Sequence, residues 1–197
     1  MRYLARRYAV IVLLAMLAAG CGKPAAGPSP GSAMHLAPPI PVPLDSAKFI
    51  ADPCSAIAVE QVESIGFSDG ARDTGRDTQC VLAFGPVVRV QTSWLSPLRE
   101  TLDTLYTDHA TGKDTGNRWE ELTIKGYPVV VVWAEENVPG RQDKGPLACR
   151  LALGLDERTL MYVGTNVDER AEAGPWQYDP CGAAKKITEF VIENLRS

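Results

Sequence analysis

The same three residues, Asp-Pro-Cys, occur twice in this chain, at residues 52–54 and 179–181. The triplet suits a helix start. The Asp carboxylate accepts N–H groups that no earlier turn can satisfy, and Pro fits the next position, where no donor is needed. Each copy therefore places a cysteine in a first helical turn, Cys54 and Cys181. Two further cysteines, Cys80 and Cys149, fall in strand-like stretches, and a fifth, Cys21, lies near the N-terminus. Where the chain is made and sent decides what these cysteines can do.

Arg2, Arg6 and Arg7 precede an uncharged apolar run at residues 8–19. About a dozen residues cannot cross a ~30 Å hydrocarbon core as a helix. A basic start followed by a short apolar run has instead the form of an export signal. Ala18-Ala19-Gly20 then lead to Cys21, and this stretch resembles the bacterial lipobox, in which the cysteine receives a diacylglycerol. The usual Leu three residues before the cysteine is here Ala18, with Leu17 one place further back. The expectation is a lipoprotein signal at 1–20 and a lipidated Cys21 that tethers the chain to the outer face of the cell membrane. Arg6-Arg7 also fits a twin-arginine signal; general secretion is favoured.

With Cys21 taken by lipid, four cysteines remain in an exported chain, an even set that argues for two disulfides. Four cysteines allow three pairings. Cys54–Cys80 with Cys149–Cys181 is favoured, because each bond joins a helix start to a strand in the same half. A zinc site wants close C-x₂₋₄-C pairs and a redox enzyme wants C-x-x-C; neither spacing is present.

Residues 22–45 contain seven prolines. Proline removes donors and fixes φ, so this segment is expected to be an extended tether of up to about 75 Å. Loss of residues 1–20 removes three arginines and no acid, which takes the formal charge from −4 to −7. So acidic a chain offers nucleic acid no counter-charge, and membrane attachment rests on the acyl chains.

Residues 46–197 form the folded part. A helix is expected from Asp52, with Ile57, Val62 and Ile65 on its apolar side and Gly66 as its stop. A polar loop at 68–79 follows. It carries Asp69, Asp73 and Asp77, but lacks the two-residue ligand spacing of a calcium loop. Strands are expected at 80–84 and 88–94, the latter alternating Val88, Val90, Thr92 and Trp94 with polar residues. A second helix is expected from Ser96-Pro97, with Leu98, Leu102, Leu105, Tyr106 and His109 on one face and Gly112 at its end. His109 stands in its last turn, where the helix dipole favours a cation. Strands at 119–125 and 127–134 form a hairpin, and the unbroken apolar run 129–133 reads as a central strand covered on both faces. Two more strands flank a turn at 156–158. A last helix starts at Asp179 with Ile187, Phe190, Val191 and Leu195 facing the core.

Taken in order, the lipobox, the Pro-rich spacer, the first D-P-C, a strand cysteine, the G-Y-P-V hairpin and the second D-P-C resemble the actinobacterial lipoproteins grouped as domain of unknown function 3558. The resemblance covers residues 45–197. It implies a Mog1/PsbP-like α+β architecture, typical of binding and assembly factors, and no established biochemical activity. Hairpin-connected strands agree with a single antiparallel sheet of about six strands with three helices packed on it.

No G-x-S-x-G elbow, H-E-x-x-H, P-loop or G-x-G-x-x-G is present, and His109 is the sole histidine of residues 46–197. Glu120-Glu121, Glu135-Glu136 and Asp168-Glu169 are the carboxylate pairs a glycan hydrolase would use. Trp94, Trp119, Trp133 and Trp176 are candidates for core or for a ligand cleft. No catalytic residue, metal or cofactor is expected. The expectation is a non-catalytic domain binding a protein or the cell wall. The alternatives are a carrier or sensor of a small apolar ligand and, last, a hydrolase.

Overall fold

The computed structural model describes residues 36–73, 78–85, 88–94, 100–114, 116–135, 147–167 and 174–196. Cys21, Asp77, Leu98, Glu136, Asp168 and Glu169 lie outside them.

Seven antiparallel strands make one sheet: β1 (Gly70–Asp73), β2 (Gln79–Phe84), β3 (Val88–Trp94), β4 (Glu120–Ile124), β5 (Tyr127–Ala134), β6 (Ala148–Gly154) and β7 (Leu160–Val167), in the order β1-β2-β3-β7-β6-β5-β4. Helices α1 (Ser46–Ala51), α2 (Val59–Glu63) and α4 (Pro180–Asn194) contribute to the core on one face, and α3 (Leu102–Ala110) covers part of the other. The class is α+β, as the alternating strand patterns require.

The main core is built from the inward residues of every interior strand. Val90, Val129, Val131, Leu151, Leu153 and Val163 are fully buried against Ile187, Val191 and Ile192 of α4. Both expected disulfides form, Cys54–Cys80 and Cys149–Cys181, with Cα atoms 4.9 and 5.1 Å apart.

Around them the two D-P-C sites repeat one arrangement. Asp52 accepts from the Cys54 N–H at 3.0 Å, and Asp179 from the Gly182 N–H at 2.7 Å. The carbonyl of Pro53 accepts from the Thr92 hydroxyl, and that of Pro180 from the Thr165 hydroxyl. Thr92 is the cross-strand partner of Cys80, and Thr165 that of Cys149. Because β3 and β7 pair about Gln91↔Gly164, with Thr92↔Val163 and Val90↔Thr165, the two staples are related by an approximate two-fold centred on that pair.

Several expectations need correction. The sheet has seven strands, not about six, because β1 lies within the stretch expected to be a polar loop. It is an edge strand with three of its four residues exposed, so no apolar alternation announced it. Among the described residues there are four α-helices, where three were expected. The first D-P-C opens only a 3-10 turn, Pro53–Ala56, after which Ile57 is extended (φ −154°, ψ 134°) and the helix restarts at Val59. α1 precedes it, capped by Asp45, which accepts from the Lys48 N–H at 2.8 Å. α3 begins at Leu102, where Thr101 and Thr104 exchange hydrogen bonds as a cap; Ser96 and Pro97, the expected start, lie outside the described residues. β5 is covered on both faces as expected, yet it lies second from the edge, and β7 is central.

The last part of the proline-rich segment is held by the fold. Leu44 is 3 % exposed and its N–H donates to the Leu155 carbonyl at 2.8 Å. Ile40 packs on the main core, and the Leu36 N–H reaches Asp103 at 2.8 Å. Proline prevents a ladder here, but the remaining donors and apolar side chains still find partners. Residues 36–45 accordingly belong to the same compact unit as the sheet.

Candidate ligand-binding cleft

On the face opposite α4 the sheet is only partly covered. Leu102, Leu105 and Tyr106 of α3 pack on Val130, Val132, Ala152, Leu160 and Tyr162. Between the helix and the strands lies a cleft of about 350 Å³. Its apolar walls are Leu105, Val132, Trp119, Trp133 and Tyr162, and its charged rim is Glu100, Asp108, Lys113, Asp114 and Arg150.

Two local devices aim the tryptophans. β5 slips register between Val131 and Trp133, so Val132 is a bulged residue. Strict alternation would send Trp133 into the α4 core with Val129 and Val131. The bulge instead leaves Val132 and Trp133 on the same, second face. Trp119 is fixed by its neighbours. It meets Tyr106 edge to face at 5.0 Å, stacks almost parallel on His109 at 3.8 Å, and donates through Nε1 to Glu121 at 3.1 Å.

The loop after α3 is pinned to the bulged strand. Asn117 brackets Ala134, with Nδ2 donating to its carbonyl at 2.7 Å and Oδ1 accepting its N–H at 2.9 Å. A Cβ at Gly116 would run into the Val132 carbonyl, so the loop lies flush on β5. His109 adds a hydrogen bond to this loop, between Nδ1 and the Asp114 carboxylate at 3.0 Å.

Two tyrosines are held neutral. Burial, then the charge of Glu121 and a hydrogen bond to it, push Tyr106 up to about 12. Burial also raises Tyr162, followed by a hydrogen bond to Glu100, while Arg150 acts in the opposite direction. The Arg150 guanidinium sits 5.9 Å from the centre of the Tyr162 ring, within cation–π range.

The cleft continues past Trp133, Arg150 and Tyr162 into a shallow hollow of about 110 Å³ over the middle of the sheet, where Arg89, Gln91, Gly164 and Asn166 line it.

Of the sequence candidates, Trp119 and Trp133 come together in the cleft. Trp176 packs on the main core and donates to the Ile65 carbonyl at 2.6 Å. Glu120 and Glu121 are split by strand alternation. Glu120 pairs with Arg118 and Lys185, which lower its pKa, and Glu121 serves Trp119. Among the described residues no cluster of three or more His, Cys, Asp or Glu could hold a metal. Sequence reasoning did not single out Arg150, Tyr162, Arg89 or Glu100. A charged residue inside the otherwise apolar β6 (ACRLALG) was the available signal.

Two disulfides fit an oxidising compartment outside the cytoplasm. No helix among the described residues is long and apolar enough to cross a membrane. No curated protein and no solved structure matches the chain. The family model described as "Protein of unknown function (DUF3558)" matches residues 16–194, through the end of α4, and the chain belongs to that family.

Proposed function

We propose that this chain is a surface lipoprotein, anchored through Cys21, whose domain binds a polar ligand of the cell envelope, in the wall or on another protein, without catalysing a reaction on it. The observation that carries this reading is the bulge at Val132. It costs the sheet a regular ladder position and turns a tryptophan out of the core toward a charged cleft. Tryptophan and arginine on one concave surface are the residue types that dominate binding energy at interfaces. The cleft offers shape, aromatic faces and charges of both signs, and its tyrosines are held neutral rather than poised to transfer protons near neutral pH.

A carrier of a small apolar ligand would need an enclosed chamber between sheet and helices. The space beneath α4 is instead filled by fully buried Leu151, Leu153, Ile187 and Ile192.

Capture of envelope material tests the proposal. The intact chain is incubated with washed wall fragments and, separately, with detergent-solubilised envelope proteins. Trp133→Ala and Gly164→Phe variants, which strip or fill the groove, are run beside it. Retention of wall material or of one reproducible protein by the native chain, and its loss in both variants, is expected. Retention unchanged in both variants would place binding elsewhere and contradict the proposal.

A further inference from the structure

Gly164 stands in the middle of β7, the central strand, where glycine weakens a sheet. None of the usual structural reasons for it applies. The pairing with β3 and β6 is unbroken there, opposite Gln91 on one side and Arg150 on the other. A Cβ would meet only the Cys149 and Gln91 carbonyls, at 3.7 and 3.9 Å, which is ordinary contact. A glycine that packing does not require, inside a strand, marks a place where something approaches the backbone closely. The missing side chain keeps the floor of the shallow hollow open.

Among the described residues, the charges lining that floor have one sign. Arg89 and Arg150 are the charged residues lining the hollow, in a chain of net formal charge −4. Glu100, Asp108 and Asp114 line the neighbouring cleft beside α3. The contacts that hold the two guanidiniums are a ring and two carbonyls. Arg150 lies over Tyr162, and Arg89 donates through Nη1 to the carbonyls of Val88 at 3.0 Å and Gly85 at 3.3 Å. Arg89 and Arg150 are separated by β7 alone and by one two-residue step along the sheet, about 12 Å between Cα atoms at standard strand spacings. Both long side chains can turn toward the ground above Gly164 and Asn166. A guanidinium presents a planar fork of donors that matches a carboxylate two by two; the side-chain amide of Asn166 lies beside it as a further donor, while Gln91 donates to Gln79 at 2.9 Å.

We infer that the hollow over Gly164 is a subsite for a carboxylate, gripped between Arg89 and Arg150, belonging to the ligand whose remainder occupies the aromatic cleft. This rests on the groove being the binding surface and adds the chemistry of what it takes. A peptide end and an acidic sugar both carry such a carboxylate, and the chemistry at the two arginines is the same.

The intact chain is titrated with N-acetyl-pentaalanine and its C-terminal amide, and with glucuronic acid and glucose, and binding is read from tryptophan fluorescence and calorimetry. At least one acid is expected to bind roughly tenfold or more tightly than its neutral partner, in line with the strength of charge-assisted hydrogen bonds. Which acid does so identifies the source. Arg150→Gln and Arg89→Gln each should lose about tenfold in affinity for that acid, Arg150→Lys should recover only part, and Gly164→Phe should abolish binding. Unfolding midpoints of all four variants confirm that the fold is kept. Equal binding of acid and neutral partner, unchanged binding in both Gln variants, or binding of no probe overturns the carboxylate assignment. If Gly164→Phe nevertheless blocks envelope capture, the groove remains the binding surface and only the ligand chemistry falls.

Discussion

Thr92 and Thr165 are among the few polar residues buried in this molecule, 0 % and 3 % exposed, and each donates to the carbonyl of a D-P-C proline. The Thr165 bond is the shorter, 2.7 Å against 3.2 Å. Thr165→Val keeps the shape and removes the donor, and should cost about 0.5–1.5 kcal/mol in urea unfolding, the net worth of one hydrogen bond. Thr92→Val should cost less. A cost near zero at Thr165 would mean that the hydrogen bond is not part of the staple. Tyr106 sets an alkaline limit. Its value in the folded chain, about 12, is above the ordinary 10.0, so folding favours the protonated ring. That contribution is complete below pH 10 and is lost as the pH climbs from 10 through 12. Tyr106→Phe should therefore flatten the fall in stability across that window, measured by denaturant midpoints, while leaving a residual slope from Tyr162. An unchanged slope would mean that Tyr106 is not shielded in the folded chain. Both threonines and both tyrosines were invisible as partners in the sequence. A threonine's acceptor and a tyrosine's burial depend on which strands become neighbours.

At the scale of elements, cap chemistry and period made much of the fold legible. Asp179 and Pro180 fixed the start of α4 to the residue, and the alternation of Val88, Val90 and Thr92 fixed the faces of β3. The run YPVVVVWA gave the bounds of β5. What failed did so for identifiable reasons. β1 is short and polar because an edge strand needs no second apolar face. The first D-P-C did not propagate a helix because Ile57 leaves the helical region to reach the core, where it is 1 % exposed. The bulge in β5 has no signature, since four valines in a row suit either face. The proline-rich segment was legible as irregular but not as docked. Leu44→Ala should destabilise the domain by about 2–4 kcal/mol, the ordinary cost of emptying a buried leucine site. A chain started at Ser46 should lose at least as much. Equal stability of chains started at residues 36 and 46 would show that residues 36–44 do not belong to the fold.

As a whole molecule the chain sets two staples on one sheet face and a charged aromatic groove on the other. In the chain-entropy model, loops of 26 and 32 residues are each worth roughly 3.5 kcal/mol. That is a large share of an ordinary domain's 5–15 kcal/mol. The staples bracket the Gln91↔Gly164 pair, so the strands beneath the hollow are the ones they hold most directly. Rigid strands under an open floor suit recognition, because little order has to be created on binding. The cysteine count made the doubly stapled domain legible. The groove was not, because it is assembled from β3, β5, β6, β7 and α3, which are distant in sequence. Amide hydrogen exchange of the intact chain, alone and saturated with the envelope material it retains, tests that groove as the binding surface most directly. Slowed exchange is predicted in β3, β6, β7 and the loop after α3, with α4 unchanged; protection confined to α4 and α2, with these strands unaltered, would contradict it.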